Sequence, residues 1–371
     1  MKSMVIAHIL PSFYVGGQEV MAVELASRQV ARGNSVIAIS LAADATGSLE
    51  SAFTRAGVKT LHIRKRGPAI DITLPFRLAL ALIRDSVEVV HLHNEQPLIY
   101  GAPAGKLARC AVVATRHGLV IASPKQLWLR RQAGRLVDGD VSVSMEVANS
   151  TRAHRLVEDR KVSVIENGID LGHYQPRAEL RAEVRAELGL PDDSLVLGSV
   201  CRLVECKNVS LLLRAALPHL SPATRLLIIG DGPERPKLEA FASREPQGKF
   251  AHFLGQRTDV ARLLNGLDLF ALSSSTEGHP ISVIEAMATG LPVLATQVGG
   301  IPEMIQDGKT GFLAPVDEQA YVARLAAALE QRGSWSTMGV AARAAAHARF
   351  SSETMADRYL GLYQRIRHVG A

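Results

Sequence analysis

The chain has 371 residues, enough for about two domains, since single cores stop growing at roughly 250–300 residues. Hydrophobic residues at 47% and charged residues at 21% exclude a disordered chain, and no apolar run approaches the ~18 residues of a membrane-spanning helix. The formal charge of +6 favours anionic partners in general, but without an aromatic-rich basic strand it does not point to nucleic acid.

In chain order, short apolar runs alternate with amphipathic ones. Strands are expected at 4–10, 35–41, 59–63, 87–92, 111–115 and 162–165, then at 195–200, 225–229, 250–254, 267–272 and 292–295, with helices between them, such as 20–31 and 209–216. That alternation is the βαβ rhythm of mostly parallel sheets, and there are enough strands for two. The opening stretch is broken by His8, Pro11 and two glycines and has no small-residue cleavage site, so it reads as a first strand. Cys110, Cys201 and Cys206 are odd in number and lack CxxC spacing, which indicates neither a disulfide framework nor structural zinc and fits a reducing cytoplasm. The segment 167–191 leaves a strand through turn residues and enters a charged helix ending at Gly189, which places the domain boundary near Gly168. The tail 351–371, amphipathic over 351–367, is expected to pack back on the first domain.

Several stretches carry residue types suited to chemistry. Gly16 and Gly17 follow the first strand and let a backbone approach a ligand, although a plain tight turn would use them equally well; they do not form GxGxxG, which weakens a dehydrogenase reading. His91 and His93 share one face at the end of strand 87–92 and could form a metal trio with His117, but no acids cluster near them, so polar strand-end residues are the preferred reading. His117 itself lies at the C-terminal end of a strand beside Gly118, where ligands meet open α/β sheets. In 198–208 a strand ends in a loop carrying Arg202 and Lys207, two cations able to hold a diphosphate; alone, either could be a solvated surface charge. The turn Gly230, Asp231, Gly232 and Pro233 reads mainly as a strand-to-helix turn.

The stretch 277–303 organises the rest. After strand 267–272, a loop with Glu277, Gly278 and Pro280 leads into a helix beginning at Ile281, whose first free N–H groups, with the Ser282 hydroxyl, suit an anion. Glu285 lies about one turn inside that helix, within reach of ribose hydroxyls, while Glu277 sits in the loop before it.

Taken together, the pair Gly16 and Gly17, His117 with Gly118, NGID at 167–170, RLVECKN at 202–208, GDGP at 230–233 and EGHPISVIEAMATGLPV at 277–293 resemble the retaining glycosyltransferases of family four, over nearly the whole chain. The resemblance implies the GT-B architecture, two Rossmann-like α/β domains facing each other across a cleft, with an acceptor-binding domain at 1–168 and a donor-binding domain at 169–350. It implies that Arg202 and Lys207 hold the diphosphate of a nucleotide-sugar donor, assisted by backbone N–H groups at Ile281, Ser282 and Val283. Glu285 would bind the ribose and Glu277 the transferred sugar, Gly17 would approach the donor phosphates, and His117 would lie beside the sugar. His117, Glu277, Arg202 and Lys207 are thus the catalytic candidates. Cys201 stands where a glycine is common in the family, and His279 where a bulky apolar residue is common.

The expected enzyme transfers a sugar from a UDP- or GDP-sugar to an acceptor hydroxyl, with a glycan or lipid-linked acceptor of cell-envelope synthesis. No cofactor is implied, and no metal, since cations stand where a metal would neutralise the diphosphate and no DxD pair occupies a strand-end loop. The alternatives are a nucleotide-sugar epimerase of similar fold and a non-catalytic sugar-nucleotide-binding protein. Arg64, Lys65 and Arg66, with Trp128, Arg130, Arg131 and Arg135, mix cations with apolar residues and are read as a peripheral contact with an anionic membrane face, a solvated basic surface being the other reading.

Overall fold

A computed structural model of the chain describes residues 3–42, 49–67 and 70–369. The molecule divides into two units, one of Met1–Gly168 with Ser352–Ala371 and one of Ile169–Ser351. Each is an α/β unit built on a single parallel sheet, as the alternation of apolar runs and amphipathic helices requires.

The first sheet holds β1 (Val5–Leu10), β2 (Ser35–Ser40), β3 (Lys59–His62), β4 (Val89–His93), β5 (Ala111–Arg116), β6 (Gly139–Ser142) and β7 (Val162–Val164), in the spatial order β3-β2-β1-β4-β5-β6-β7. The second holds β8 (Leu195–Val200), β9 (Thr224–Ile229), β10 (Ala251–Gly255), β11 (Leu269–Leu272), β12 (Val293–Thr296) and β13 (Gly311–Ala314), in the order β10-β9-β8-β11-β12-β13. Helices cover both faces, so central strands such as β4 and β11 are buried along their whole length and read as unbroken apolar runs. In both sheets the strand order reverses beside the first strand, between β1 and β4 and between β8 and β11. The loops leaving the C-terminal ends of those strands diverge there, which is where open α/β sheets bind ligands.

Two strands were not expected from sequence. β6 reads GDVS and β13 reads GFLA, four residues each, too short and too poor in β-branched residues to announce themselves; pairing with β5 and with β12 makes them strands. Strand β4 also runs one residue further than the apolar pattern suggests, ending at His93, so His91 and His93 do lie at its C-terminal end but are fully buried there.

The last helix, Ser352–Val369, belongs to the first unit; residues 370 and 371 of the expected tail lie outside the described residues. It buries Tyr359 and Tyr363 completely and ties itself to the helix Gly17–Ala31 through ion pairs of Arg28 and Arg32 with Glu353, each 2.6 Å, and of Arg32 with Asp357 at 2.9 Å. The helix Leu74–Arg84 leaves one stripe bare, with Phe76, Leu80 and Ile83 exposed by 62, 68 and 56% at helical spacing. Trp128, Arg131 and Arg135 are exposed on the helix Pro124–Gly134 and its end, but Arg130 does not belong to that patch: it is buried and pairs with Glu95 at 3.2 Å. Among the described residues no helix is long and apolar enough to cross a membrane.

Candidate functional site

In the second unit, the chain leaves β8, passes through Arg202 and a short 3-10 turn, Glu205–Lys207, and reaches Asn208 in the left-handed region at φ 45°, from which the helix Val209–Ala216 starts. The GDGP turn after β9 is the shelf beneath this loop. A Cβ on Gly230, itself at φ +137°, would stand 1.9 Å from the Cys201 carbonyl oxygen, and one on Gly232 would stand 2.3 Å from that of Leu203. Only glycine allows such an approach, so this turn, read from sequence as a strand-to-helix connection, also sets the height of Arg202.

The loop after β11 is stitched to the same turn. Ser273 donates its hydroxyl to the Asn208 carbonyl at 2.9 Å, the Ser275 N–H donates to the Cys206 carbonyl at 2.8 Å, and Thr296 donates to the Ser274 carbonyl at 2.6 Å. These bonds bring Lys207 to Glu277: Nζ lies 2.5 Å from Oε1, and the same oxygen accepts the Ser274 hydroxyl at 2.6 Å. Both are sheltered, with side-chain exposures of 22% for Lys207 and 7% for Glu277. Behind them Gly299, at φ +53°, would place a Cβ 1.7 Å from the Glu277 carbonyl oxygen, and the Gly300 N–H donates to the Gly278 carbonyl at 2.9 Å. Sequence reading passed over Gly299, whose signal was the doublet Gly299 and Gly300 just after an apolar strand.

Pro280, extended at ψ 121°, caps the helix Ile281–Ala288, so the N–H groups of Ile281 and Ser282 have no helical acceptor. One turn on, Glu285 is buried without a cation. It accepts the Tyr174 hydroxyl at 2.6 Å, and burial, only partly opposed by that bond, raises its pKa to about 7. Tyr174 could not be found from sequence, because nothing local links it to a carboxylate 111 residues away. The Arg202 side chain is exposed and makes no hydrogen bond or ion pair among the described residues. His279 is buried, its ring edge-on to Phe350 with centroids 5.2 Å apart, and burial lowers its pKa to about 3, so it packs as a neutral ring where the family resemblance led us to look for an apolar residue.

In the first unit Gly16, Gly17 and His117 follow the ends of β1 and β5. A Cβ on Gly16 would meet only the far end of the Glu19 side chain, at 2.4 Å, which can swing aside, and one on Gly17 would meet nothing within 4 Å, so packing requires neither glycine. The His117 N–H donates to Asn94 Oδ1 at 3.0 Å, and the Asn94 amide donates in turn to Gln18 Oε1. Gln18 and Asn94 carried no sequence signal.

The metal trio does not form. The histidines whose ring nitrogens cluster are His8, His91 and His93, within 4.8 Å of one another. All six nitrogens are already engaged: His8 with Gln29 at 2.7 Å and His93 at 3.0 Å, His91 with Thr115 at 2.6 Å and Tyr363 at 2.7 Å, and His93 with His117 at 3.2 Å. Burial lowers the pKa of every ring in the group, to about 4 for His8 and about 3 for His117. A metal would have to break this network without a carboxylate to orient its ligands.

A cavity of about 420 Å³ lies elsewhere, lined by Arg181, Asp268, Pro292 and Trp335 among others. Its residues precede β8, β11 and β12, at the opposite sheet edge from Lys207 and Glu277, and not at the strand ends where ligands bind.

Comparison with known proteins agrees with the geometry. The family described as Glycosyl transferases group 1 matches residues 194–331, and Glycosyltransferase Family 4 matches residues 15–173. The chain is 29% identical over 309 residues to the N-acetyl-alpha-D-glucosaminyl L-malate synthase of Bacillus anthracis, covering 81% of this chain and 80% of that protein. It is 32% identical to the GDP-mannose-dependent alpha-(1-6)-phosphatidylinositol monomannoside mannosyltransferase of Mycolicibacterium smegmatis, over 68% of this chain and 72% of that protein. The fold is that of Anabaena HepE in complex with UDP-glucose, with a TM-score of 0.85 at 23% identity over 98% of this chain and 100% of that one, so the two sheets form a GT-B architecture.

Glu285 carries a stability signature. Its folded pKa of about 7 lies above its ordinary 4.5, so between those values the folded protein holds a proton that the unfolded chain has released. Stability therefore falls as pH rises through that window, by on the order of 3 kcal/mol at about 1.4 kcal/mol per pH unit. Glu285→Gln should raise Tm at pH 8.5 and leave it nearly unchanged at pH 5, measured by calorimetry; the same Tm difference at both values would show that Glu285 is not held uncharged by its surroundings.

Proposed function

The chain belongs to family 4 of the glycosyltransferases, and on that premise we propose that it moves a sugar from a UDP- or GDP-sugar to an acceptor hydroxyl with retention of anomeric configuration. The observation that carries this reading is the sheltered Lys207–Glu277 pair beside the free N–H groups of the helix Ile281–Ala288. Lys207, Arg202 and those N–H groups suit a diphosphate, Glu277 suits the hydroxyls of the sugar it bears, and the buried Glu285 with Tyr174 suits a ribose. In the first unit Gly17 and His117 are assigned to the donor phosphates and to the sugar.

The candidate site offers no convincing nucleophile: Glu277 is held by Lys207 and Ser274. A same-face substitution accounts for retention, with the departing diphosphate helping to take the acceptor proton while the protein supplies position and charge. Arg202 and Lys207 replace a metal in neutralising that diphosphate. An epimerase would need acid and base groups at the sugar ring, and would release no nucleotide in response to an acceptor.

Arg202→Ala separates charge stabilisation from binding, because Arg202 is exposed and its loss disturbs no partner among the described residues. Negative charge grows on the diphosphate as the bond breaks, so kcat for acceptor-dependent nucleotide release should fall on the order of 10²-fold, with wild-type activity unchanged by EDTA. Wild-type kcat in the variant at saturating donor, or activity abolished by EDTA and restored by magnesium, contradicts the assignment.

The acceptor is assigned to a lipid-linked or polysaccharide chain in cell-envelope glycan synthesis, reached from the cytoplasmic face. The bare stripe of Phe76, Leu80 and Ile83, near exposed Arg64 and Arg66, has the composition of a peripheral membrane contact. In vesicle sedimentation the protein should bind anionic and not neutral vesicles, and replacing the three apolar residues by serine should abolish binding; equal binding to both vesicle types, or none, contradicts a membrane role.

A further inference from the structure

His117 stands at the end of a run of buried hydrogen bonds that the glycosyl-transfer reading does not use. Gln29 Oε1 faces His8 Nε2 at 2.7 Å, His8 Nδ1 faces His93 Nε2 at 3.0 Å, and His93 Nδ1 faces His117 Nε2 at 3.2 Å. Gln29, His8 and His93 are fully buried, while His117 is half-buried. A neutral imidazole donates from one nitrogen and accepts at the other, so the state of one ring dictates the state of the next. The amide oxygen of Gln29 can only accept, and its amide nitrogen is turned away, donating to Tyr363 at 3.4 Å. Tyr363 Oη in turn lies 2.7 Å from His91 Nδ1, and His91 Nε2 lies 2.6 Å from Thr115 Oγ1, so the amide nitrogen of Gln29 is joined to a second buried branch.

The consequences run outward. Because Gln29 accepts, His8 carries its proton on Nε2 and offers a lone pair at Nδ1. His93 must then donate from Nε2 and accept at Nδ1, and His117 must donate from Nε2. That leaves the Nδ1 of His117 with a lone pair, with no partner among the described residues and beside Gly118, where even an added Cβ would meet nothing within 4 Å. The run cannot act as a proton wire, because an amide at its inner end neither takes nor gives up a proton in the pH range of a folded protein.

We infer that Gln29, His8 and His93 are positioning residues that lock the tautomer of His117, so that its Nδ1 is a permanent hydrogen-bond acceptor for a sugar hydroxyl. The lock rests on the assignment of His117 to the sugar only for its ligand; the tautomer itself follows from the buried bonds. Burial supports it by keeping all three rings neutral, since a protonated ring would donate from both nitrogens and invert the pattern. The lock selects for a hydroxyl that can donate at this point and disfavours a group offering only acceptors.

The test uses the full chain labelled with nitrogen-15 histidine. Long-range proton–nitrogen correlation spectra report which ring nitrogen carries the proton, and His117→Asn identifies the His117 signals. Wild type should show His117 as a single tautomer protonated at Nε2, unchanged from pH 6 to 8. Gln29→Met, which keeps length and bulk but removes the acceptor, should release His117 into an exchanging mixture of tautomers, and His8→Phe should do the same from one link nearer. A wild-type His117 protonated at Nδ1, or already exchanging, overturns the proposal without any variant, and so does an unchanged His117 in a folded Gln29→Met. Because no turnover is measured, an inactive protein that shows the lock would count against the transferase reading and not against this one.

Discussion

One close ion pair, Lys207 with Glu277, is what the second unit is arranged to hold. A carboxylate with only 7% of its side chain exposed is costly to hold without a partner, since an uncompensated buried charge costs several kcal/mol, and Lys207, at 22%, supplies that partner. Together with the Ser274 hydroxyl they satisfy one another. The neighbouring backbone serves this meeting: Ser273 and Ser275 lock the loop after β11 to the turn after β8, Gly230 and Gly232 admit that turn against the sheet, and Gly299 admits the Glu277 backbone. The pair is therefore poised. A ligand bringing a diphosphate for the lysine and hydroxyls for the glutamate can replace one bond with two, and a ligand with only one of these must leave the other group without its partner.

The first unit buries a neutral histidine network beside a buried ion pair of its own, Arg116 with Asp140 at 2.9 Å. Its histidines sit in a fully buried strand and its neighbours, and burial suppresses their ionisation far below the ordinary histidine range. Every nitrogen in the clustered trio is engaged, so this network gains definition without charge and depends on the last helix for Tyr359 and Tyr363. Glu285 belongs to the same economy. Its carboxyl, raised to a pKa of about 7 by burial and bonded to Tyr174, is a destabilising group in the neutral pH range.

Much of this was legible in the chain. The parallel sheets follow from unbroken apolar runs such as LFAL and VLAT, and the helix Val209–Ala216 was marked by its apolar spacing. The individual residues Lys207, Glu277 and Glu285 stood out only in company, because a single charge at a strand end or helix start reads equally as a solvated surface group, and it is the surrounding stretches 202–208 and 277–293 that set them apart. Their pairing did not, because contact between positions 70 residues apart is a property of the fold. His8 was hidden for a related reason: within VIAHIL it looks like a break in an apolar strand, and only the packing of β1 against β4 reveals that it faces other histidines. The short strands β6 and β13 carry no period of their own and exist through their neighbours. Arg130 misled because composition cannot tell an arginine that faces water from one that bonds Glu95.

The central claim, that diphosphate and sugar divide the Lys207–Glu277 pair between them, is tested most directly by calorimetric titration of wild type and Glu277→Gln with UDP and UDP-glucose and with GDP and GDP-mannose. The account predicts opposite signs. Without the carboxylate, Lys207 is free for the phosphates, so the variant should bind the nucleoside diphosphate at least as tightly as wild type, while the added affinity conferred by the attached sugar should disappear. Equal weakening of diphosphate and nucleotide-sugar, or an undiminished contribution from the sugar, would contradict it.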